Sequence, residues 1–186
     1  RLPFNHKLRS KDEVFDLVRK KLENIGLKTL LFLKNIAEIK WLSPYGEGHY
    51  VKEIKKLSDA KRVTIISEKD TEEYIVIDKS IKIEDKELKV EAAYKLSKDK
   101  DGKEVVSRDP DSRLVVFFPT EKDTFLNFTI QGPYKTTANR ENIPLDDEQN
   151  KAIIEETGNL IAESLSVIKK LGYLDTNFLK LLPINP

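Results

Sequence analysis

The sequence contains no cysteine and only two histidines, His6 and His49, among its 186 residues. The lack of cysteine excludes disulfide bonds, thiolate chemistry and cysteine-based metal sites. The two histidines are too far apart in the sequence to have the spacing of a metal-ligand pair, so we expect no metal site in this chain. A Gly-x-Ser-x-Gly motif is also missing, which makes a serine hydrolase a weak candidate.

Neither sign of charge dominates the chain, and it has no long hydrophobic run. Lysine and arginine together number 33 and aspartate and glutamate 32, so the formal net charge is +1. This balance gives no overall electrostatic reason to expect binding to nucleic acid or to an anionic membrane. No apolar run could cross a bilayer and no signal peptide is visible, so we expect a cytoplasmic protein without a membrane partner.

Methionine is absent and glycine is scarce, with seven in the chain. The missing initiator methionine suggests that Arg1 is a cut point rather than a natural start. Gly46-Glu47-Gly48 lacks the third glycine of a dinucleotide-binding loop, and no P-loop pattern occurs. The sequence therefore predicts a plain turn around these glycines and no glycine-rich phosphate loop.

Two amphipathic helices are predicted near the ends of the chain. Ser10 and Glu13 form a capping-box pattern, apolar residues recur at helical spacing over 11–25, and Gly26 lies where a helix-terminating glycine is expected. Helical spacing returns over 147–171. We therefore predict a helix over each of these two ranges.

Strand patterns fill the region between the helices. The segment 29–42 is ambiguous, because its front half fits a helix and its back half fits a strand. Residues 114–118 are apolar on both faces and predict a central strand. Other strands are predicted at roughly 49–57, 61–67, 72–78, 86–96 and 125–131, the last with Leu126, Phe128 and Ile130 facing inward and Asn127, Thr129 and Gln131 facing outward. This order predicts an α+β fold with a mixed, largely antiparallel sheet and helices packed on one face.

The loop that precedes the second predicted helix is the strongest candidate site. It is longer than a usual strand-to-helix connection, and long ordered loops are often functional. Within its sequence YKTTANRENIP, Thr137 and Asn139 can fix the backbone through side-chain hydrogen bonds. Arg140 on such a frame could bind a carboxylate or a phosphate through its forked guanidinium. The alternative is that Arg140 pairs with Glu141 or Asp147 and only holds the loop.

Several segments together resemble a known family. TTANRENIPLDDEQNKAIIEETGNLIAESL is similar to the segment of the ninety-kilodalton heat-shock chaperones in which an Asn-x-Ser-Arg-Glu loop precedes a long helix. LVVFFPTEKDTFLNFTIQGPYKTTANRENI resembles sacsin-type and bacterial relatives more closely, and TLLFLKNIAEIKW and the initial RLPF also look like segments of those proteins. Over nearly its whole length the chain resembles the middle, or transducer, domain of a GHKL-superfamily ATPase.

This resemblance implies a split β-α-β core and a mechanical role. In the family a preceding GHKL nucleotide-binding domain binds Mg-ATP, and a basic residue on a transducer loop reaches the γ-phosphate. Arg140 matches that residue, Asn139 and Glu141 flank it, and Gln149 and Asn150 lie where the family has polar residues near the site. The chain departs from the chaperones in having Thr-Ala-Asn in place of Asn-x-Ser before the arginine.

The superfamily's metal-binding asparagine helix and glycine-rich lid have no counterpart in the sequence. The resemblance therefore implies that this fragment alone holds no cofactor and is inactive, whereas ATP and Mg are expected in the full-length ATPase. It also implies that residues 1–9 are the tail of the nucleotide-binding domain, 10–174 the transducer domain and 175–186 the start of a following segment or linker. Further expected partners are a client protein or DNA, and a second copy in a full-length homodimer.

Two other interpretations stay open. The chain could be a self-contained protein-interaction module with no nucleotide role, whose strands and C-terminal FLKLLPINP bind another protein. It could also contact DNA or RNA through the basic stretch 52–62, although the sequence favours a solvated strand face for that stretch.

Overall fold

The computed structural model describes residues 9–23, 27–44, 46–83, 85–110 and 112–182 of the chain. Its architecture is α+β, with a mixed and mostly antiparallel sheet of nine strands among these residues, which confirms the predicted fold class. In chain order the elements are α1 (Lys11–Glu23), α2 (Lys28–Leu31), β1 (Glu38–Ser43), β2 (Gly46–Lys56), β3 (Lys61–Ser67), β4 (Thr71–Ile83), β5 (Lys86–Lys98), β6 (Glu104–Val106), β7 (Arg113–Val116), β8 (Phe118–Asp123), β9 (Thr129–Gln131), α3 (Glu148–Lys170) and a 3₁₀ helix (Phe178–Leu181).

The sheet has the strand order β1-β2-β3-β4-β5-β9-β7-β8, and β6 also pairs with β5. β7 and β9 run parallel, whereas the β1–β2, β4–β5, β5–β9 and β7–β8 pairs are antiparallel. The chain divides into two compact units. Unit 1 comprises residues 1–52 and 65–71, and unit 2 comprises residues 53–64 and 72–186.

The first helix of unit 1 begins at the predicted capping box. The Ser10 backbone N–H donates to Glu13 Oε2 over 2.7 Å, and the Glu13 N–H donates to Ser10 Oγ over 3.2 Å. The bond from the Ser10 N–H lowers the pKa of Glu13, because it favours the charged carboxylate. The helix is confirmed from residue 11 to residue 23. The predicted terminator Gly26 lies outside the described residues, as does nearly all of the predicted nucleotide-domain tail, 1–9.

The segment with an ambiguous pattern is helical first and extended afterwards. α2 is a single turn with Leu30 and Leu31 buried, and β1 follows it. Lys52 is buried in unit 1, and its Nζ donates to the carbonyl oxygens of Leu30 and Leu33. The Leu30 carbonyl also accepts from the Leu33 N–H, so the lysine ammonium adds a further hydrogen bond at this end of α2.

The hairpin of β1 and β2 pairs Trp41 with Gly48. A methyl group added at Gly48 would lie 2.3 Å from Trp41 Nε1. Glycine is therefore the residue that leaves room for the indole across the strand. Trp41 is the only tryptophan of the chain, so tryptophan fluorescence reports on unit 1.

Unit 2 has its core between β4, β5, β9 and α3. Tyr94 of β5 is fully buried and stacks on Phe128 with ring centroids 4.8 Å apart. Its hydroxyl hydrogen-bonds Ser164 Oγ of α3 over 2.6 Å, which satisfies the polar end of the ring. Burial raises the pKa of Tyr94 to about 12, so this hydroxyl stays protonated across the neutral range.

The C-terminal 3₁₀ helix belongs to the same core. Phe178 and Leu181 are fully buried, and the Phe178 ring lies 5.5 Å from that of Tyr94. Asp175 Oδ1 accepts hydrogen bonds from the backbone N–H groups of Asn177 and Phe178, which starts the turn. Residues 175–182, which the sequence assigned to a following segment or linker, therefore pack as part of unit 2.

The long helix α3 confirms the helix predicted over 147–171. Asp147 is its N-cap, and Oδ1 of that residue accepts from the Asn150 backbone N–H over 3.1 Å. The helix ends at Leu171, and Gly172 follows with φ +82°, a conformation that favours glycine. Neither α3 nor any other helix within the described ranges is long and apolar enough to cross a membrane.

The strand predicted over 114–118 is wrong in its second half. β7 does lie between β9 and β8, but it ends at Val116, and β8 begins at Phe118 in antiparallel register with it. Phe117 alone connects the two strands, and its φ of +61° reverses the chain. Phe117 and Phe118 are consequently 54% and 50% exposed, although the sequence predicted them inside a central strand.

The strand predicted over 125–131 is shorter than expected, and its predicted outward face is not solvated. Only Thr129–Gln131 form β9, and Thr129 and Gln131 are both buried. Thr129 Oγ1 donates to the buried Asp109 Oδ2 over 3.2 Å. An alternating pattern distinguishes the two faces of a strand but does not reveal that both faces are covered.

Candidate functional site

The candidate site is the connection between β9 and α3, residues 132–147, which we call the arginine loop. Its end is held where α3 begins. Lys135 Nζ donates to Asp147 Oδ2 over 2.9 Å, while Asp147 Oδ1 caps the helix. The Lys135 ammonium, followed by the Asn150 backbone N–H, lowers the pKa of Asp147. The acidic start of the helix is therefore partly neutralised from within the loop.

Asn150, in the first turn of α3, holds the arginine loop through its side-chain amide. Its side chain is fully buried, and its Oδ1 accepts from the Lys135 backbone N–H over 2.8 Å. Its Nδ2 donates to the carbonyl oxygens of Lys135 and Pro144 over 3.0 and 2.9 Å. Both amide hydrogens are thus engaged by the loop itself, so Asn150 supports the loop and has no donor left for a ligand. Gln149, the neighbouring candidate, is half-buried and makes no side-chain hydrogen bond to the described residues.

The tip of the arginine loop is a compact hydrogen-bonded turn. The Thr137 N–H donates to Asn142 O and the Arg140 N–H donates to Thr137 O, each over 2.9 Å. Thr137 Oγ1 donates to Asn139 Oδ1, and Asn139 Nδ2 donates to Glu141 Oε2, each over 2.7 Å. Thr137, Asn139 and Glu141 therefore bond to one another and shape the turn that carries Arg140.

Arg140 occupies a strained backbone position at this tip. Its φ is +60°, in the left-handed region that non-glycine residues seldom adopt. Such a conformation costs about 1–2 kcal/mol for a residue with a side chain. The cost is offset by bonds on both sides of the residue, because the Arg140 carbonyl oxygen also accepts from the Glu121 N–H of β8 over 3.2 Å. Strained positions of this kind are frequent at functional sites.

The guanidinium of Arg140 reaches back along the β7–β8 connection. Its Nη2 donates to the carbonyl oxygen of Val116 over 2.8 Å and to that of Phe118 over 3.1 Å. The pairing that the sequence offered as an alternative is wrong. Glu141 and Asp147 make no ion pair with Arg140, because Asn139 and Lys135 engage their carboxylates instead.

The charge of Arg140 is not neutralised by a carboxylate. Among the residues that the structure describes, its guanidinium forms no ion pair, and its Nε and Nη1 make no hydrogen bond. The two carbonyl acceptors orient the group but carry no net charge. A half-buried cation held only by neutral acceptors can exchange one of them for an oxyanion.

Two features beside the loop were not predicted from the sequence. The half-exposed Phe117 and Phe118 lie next to the carbonyls that hold Arg140. Pro119 was the available signal, because proline within a sheet is confined mainly to edge strands, and β8 lies at the edge of the sheet. The second feature is a cavity of about 320 Å³, which is lined in part by Tyr134 and Ile143 of the arginine loop.

Three of the five basic residues in the stretch 52–62 have partners within the protein, whereas Lys55 and Lys56 are exposed. Lys61 Nζ bonds Asp78 Oδ1 over 2.5 Å. Arg62 bridges Glu73 and Glu104, and those two hydrogen-bonded carboxylates raise the pKa of its guanidinium. These cations have carboxylate partners, so they offer little free positive charge to a nucleic acid.

Within the described residues, no group of three or more histidine, aspartate or glutamate side chains is arranged to hold a metal ion. Comparisons of the chain with protein-family models, with curated proteins and with solved structures found no match. What the chain does must therefore be inferred from the geometry of the arginine loop and from the motifs around it.

Proposed function

We propose that this chain is the transducer domain of a GHKL-superfamily ATPase, similar to the heat-shock and sacsin-type proteins, and that Arg140 contacts the γ-phosphate of ATP. The nucleotide and its Mg²⁺ would be held by a preceding nucleotide-binding domain. The observation that carries the proposal is the state of the Arg140 guanidinium, which is oriented by two carbonyls and lacks a carboxylate partner among the described residues.

The electrostatics explain why this observation matters. An arginine already paired with a carboxylate would have to break that pair before it could bind a phosphate. Arg140 keeps its full charge, and the bonds between Thr137, Asn139 and Glu141 stiffen the loop that presents it. Phosphoryl transfer depends mainly on positioned charge, and an inserted arginine contributes a rate factor of about 10³–10⁵.

The proposal assigns the chain a coupling role rather than an enzymatic one of its own. Alone it would neither bind ATP tightly nor hydrolyse it. Joined to its nucleotide-binding domain, in the cytoplasm, it would convert the arrival of Arg140 at the γ-phosphate into movement of the domains. A client protein or DNA would receive that movement, and a homodimer would be the working form.

ATP turnover by the full-length protein tests the role of Arg140. We expect Arg140→Ala to lower the turnover rate by about 10³-fold or more. Arg140→Lys keeps the charge but not the fork, so its rate should lie between those of the wild type and the alanine variant.

Arg113→Ala is the matched control for that experiment. Arg113 lies on β7 in the same unit, is exposed, and pairs with Glu121 on the surface. Arg113→Ala removes the same charge from a nearby position. Because a surface substitution changes a free energy by about 0.5 kcal/mol at most, turnover should stay within a factor of about two to three of wild type. Unchanged turnover in Arg140→Ala would remove Arg140 from the mechanism.

A self-contained interaction module remains the second candidate. The half-exposed Phe117 and Phe118 favour it, because exposed aromatic side chains are common in protein interfaces. Phe178 and Leu181 of the C-terminal FLKLLPINP are fully buried in unit 2, so these two side chains are not available to a partner. If Phe117→Ser abolished binding of a partner protein while Arg140→Ala left ATP turnover intact, the interaction module would be preferred.

A further inference from the structure

The guanidinium of Arg140 is tied to an unusually tight connection, residues 116–118, which we call the Phe117 turn. Val116 and Phe118 are register partners in the β7–β8 pair, so a single residue joins the two strands. That residue, Phe117, has a φ of +61°, where a bulky side chain is strained. Arg140 Nη2 donates to the carbonyl oxygens on both sides of it. One nitrogen thus bridges the two ends of the turn.

The hydrogens of the guanidinium limit what else Arg140 can bind in this position. Nη2 carries two hydrogens and donates to two carbonyls, at 2.8 and 3.1 Å, so one hydrogen directed to each carbonyl uses both. A forked bond to an oxyanion uses two nitrogens, either Nη1 with Nη2 or Nε with Nη2. Both forks need a hydrogen of Nη2. An oxyanion can therefore be held in a forked geometry only after one carbonyl of the turn has been released.

We infer that Arg140 is a latch on the Phe117 turn, and that capture of a phosphate-type oxyanion in a forked geometry opens this latch. The inference rests on the proposed function for the identity of the anion and adds the regulation of that site. The anion accepts two hydrogen bonds from the guanidinium, and the Phe117 turn loses one of its two bonds to Nη2. The strained backbone of Phe117 can then relax. Occupancy of the arginine site is thereby converted into a change at the β7–β8 connection and its exposed aromatic side chains.

The coupling is reciprocal, as any coupling between two equilibria must be. Strain at Phe117 favours opening of the latch, because it is relieved when the turn relaxes. Glycine adopts a positive φ without that strain. Phe117→Gly should therefore keep the latch closed more firmly and weaken forked anion binding, although this variant leaves Arg140 itself unchanged.

Amide hydrogen exchange on the 186-residue chain tests the latch, with inorganic pyrophosphate as the probe and sodium chloride at equal ionic strength as the reference. We expect pyrophosphate to speed exchange in a peptide covering Arg113–Asp123 by about three- to tenfold, the population change that loss of one hydrogen bond produces. A peptide from the centre of β5 should not respond. Arg140→Ala should exchange quickly without pyrophosphate and show no response to it, and Arg113→Ala should respond as wild type does.

Phe117→Gly supplies the second measurement. Its affinity for pyrophosphate should fall by up to about tenfold relative to wild type, in keeping with the strain of a left-handed non-glycine residue. If pyrophosphate binds through Arg140 while exchange in Arg113–Asp123 is unchanged, the anion is held by single bonds from Nη1 or Nε and the latch is refuted. The latch is equally refuted if pyrophosphate does not bind at all.

The latch and the proposed function fail in distinguishable ways. Loss of ATP turnover in full-length Arg140→Ala, with no exchange response to pyrophosphate, would leave the ATPase role standing and remove the latch. An exchange response that depends on Arg140, with turnover unaffected by Arg140→Ala, would leave an anion-operated latch and remove the ATPase role.

Discussion

Asn150 is the residue on which the shape of the arginine loop depends most directly. It lies in the first turn of α3, is fully buried, and makes three side-chain hydrogen bonds to the loop. Two of them go to Lys135 and one goes to Pro144, so the side chain joins the two ends of the loop to the helix. Asn150→Ala removes all three bonds and adds no new group.

The size of the effect follows from those bonds. A hydrogen bond within a protein contributes about 0.5–1.5 kcal/mol net, so three of them amount to about 3 kcal/mol. For a chain of this length, 1 kcal/mol corresponds to about 2–4 °C in melting temperature. We therefore expect Asn150→Ala to lower the free energy of unfolding by about 3 kcal/mol and the melting temperature by about 6–12 °C.

Asn150→Asp separates this account from a general helix effect. An aspartate in the first turn of a helix is normally favourable by about 0.3–1 kcal/mol because of the helix dipole. Here it would replace Nδ2, which donates to two carbonyl oxygens, with an oxygen that repels them. We expect Asn150→Asp to be destabilised at least as strongly as Asn150→Ala, despite the favourable dipole.

Urea unfolding followed by far-ultraviolet circular dichroism is the appropriate assay. Fluorescence of Trp41 would report on unit 1, whereas Asn150 belongs to unit 2. Gln149→Ala is the matched control, because this neighbour makes no side-chain hydrogen bond within the described residues and should cost less than about 0.5 kcal/mol. A loss below about 1 kcal/mol for Asn150→Ala, or a stabilised Asn150→Asp, would refute the reasoning.

Three further outcomes are expected. Phe178→Ala should lower the free energy of unfolding by about 3–5 kcal/mol, because the ring is fully buried; a loss below about 1 kcal/mol would mean that the C-terminal turn is not part of the core. The pKa of Asp147 is lowered by Lys135, so its contribution to stability is present above the unfolded pKa and is lost as the pH falls below about 4. The difference in unfolding free energy between wild type and Asp147→Asn should accordingly shrink below that pH, and a constant difference would contradict the ion pair. Gly48→Ala should displace the Trp41 indole, which a methyl group would approach to 2.3 Å, and so shift the tryptophan emission spectrum; an unchanged spectrum would contradict the packing.

The start of the first helix was predictable because its signal is local. The capping box of Ser10 and Glu13 acts within a few residues of the helix that it begins. Hydrophobic periodicity likewise acts over one element at a time, so the α+β class and the long last helix could be predicted from the pattern alone. Arg140 itself could be singled out from its loop and from the family resemblance.

The surroundings of Arg140 depend on contacts that no local pattern encodes. Its guanidinium bonds carbonyl oxygens 24 and 22 residues earlier in the chain, at Val116 and Phe118. Every residue has a backbone carbonyl that can accept a hydrogen bond. The sequence therefore does not indicate that the carbonyls of Val116 and Phe118 are the ones that bind Arg140. The nearby carboxylates looked like the natural partners, but Lys135 and Asn139 engage them first.

By itself, then, the sequence determined where the first helix begins, where the long helix lies, which fold class results and which loop bears the arginine, because each of these follows from short-range hydrogen bonds or from periodic burial. Only the tertiary structure decided that β7 reverses at Phe117, that both faces of β9 are buried and that Arg140 holds the turn. These features arise where segments that are distant in the sequence come into contact. The free energy of such contacts depends on which backbone N–H and C=O groups still lack a partner, and that is a property of the whole folded chain.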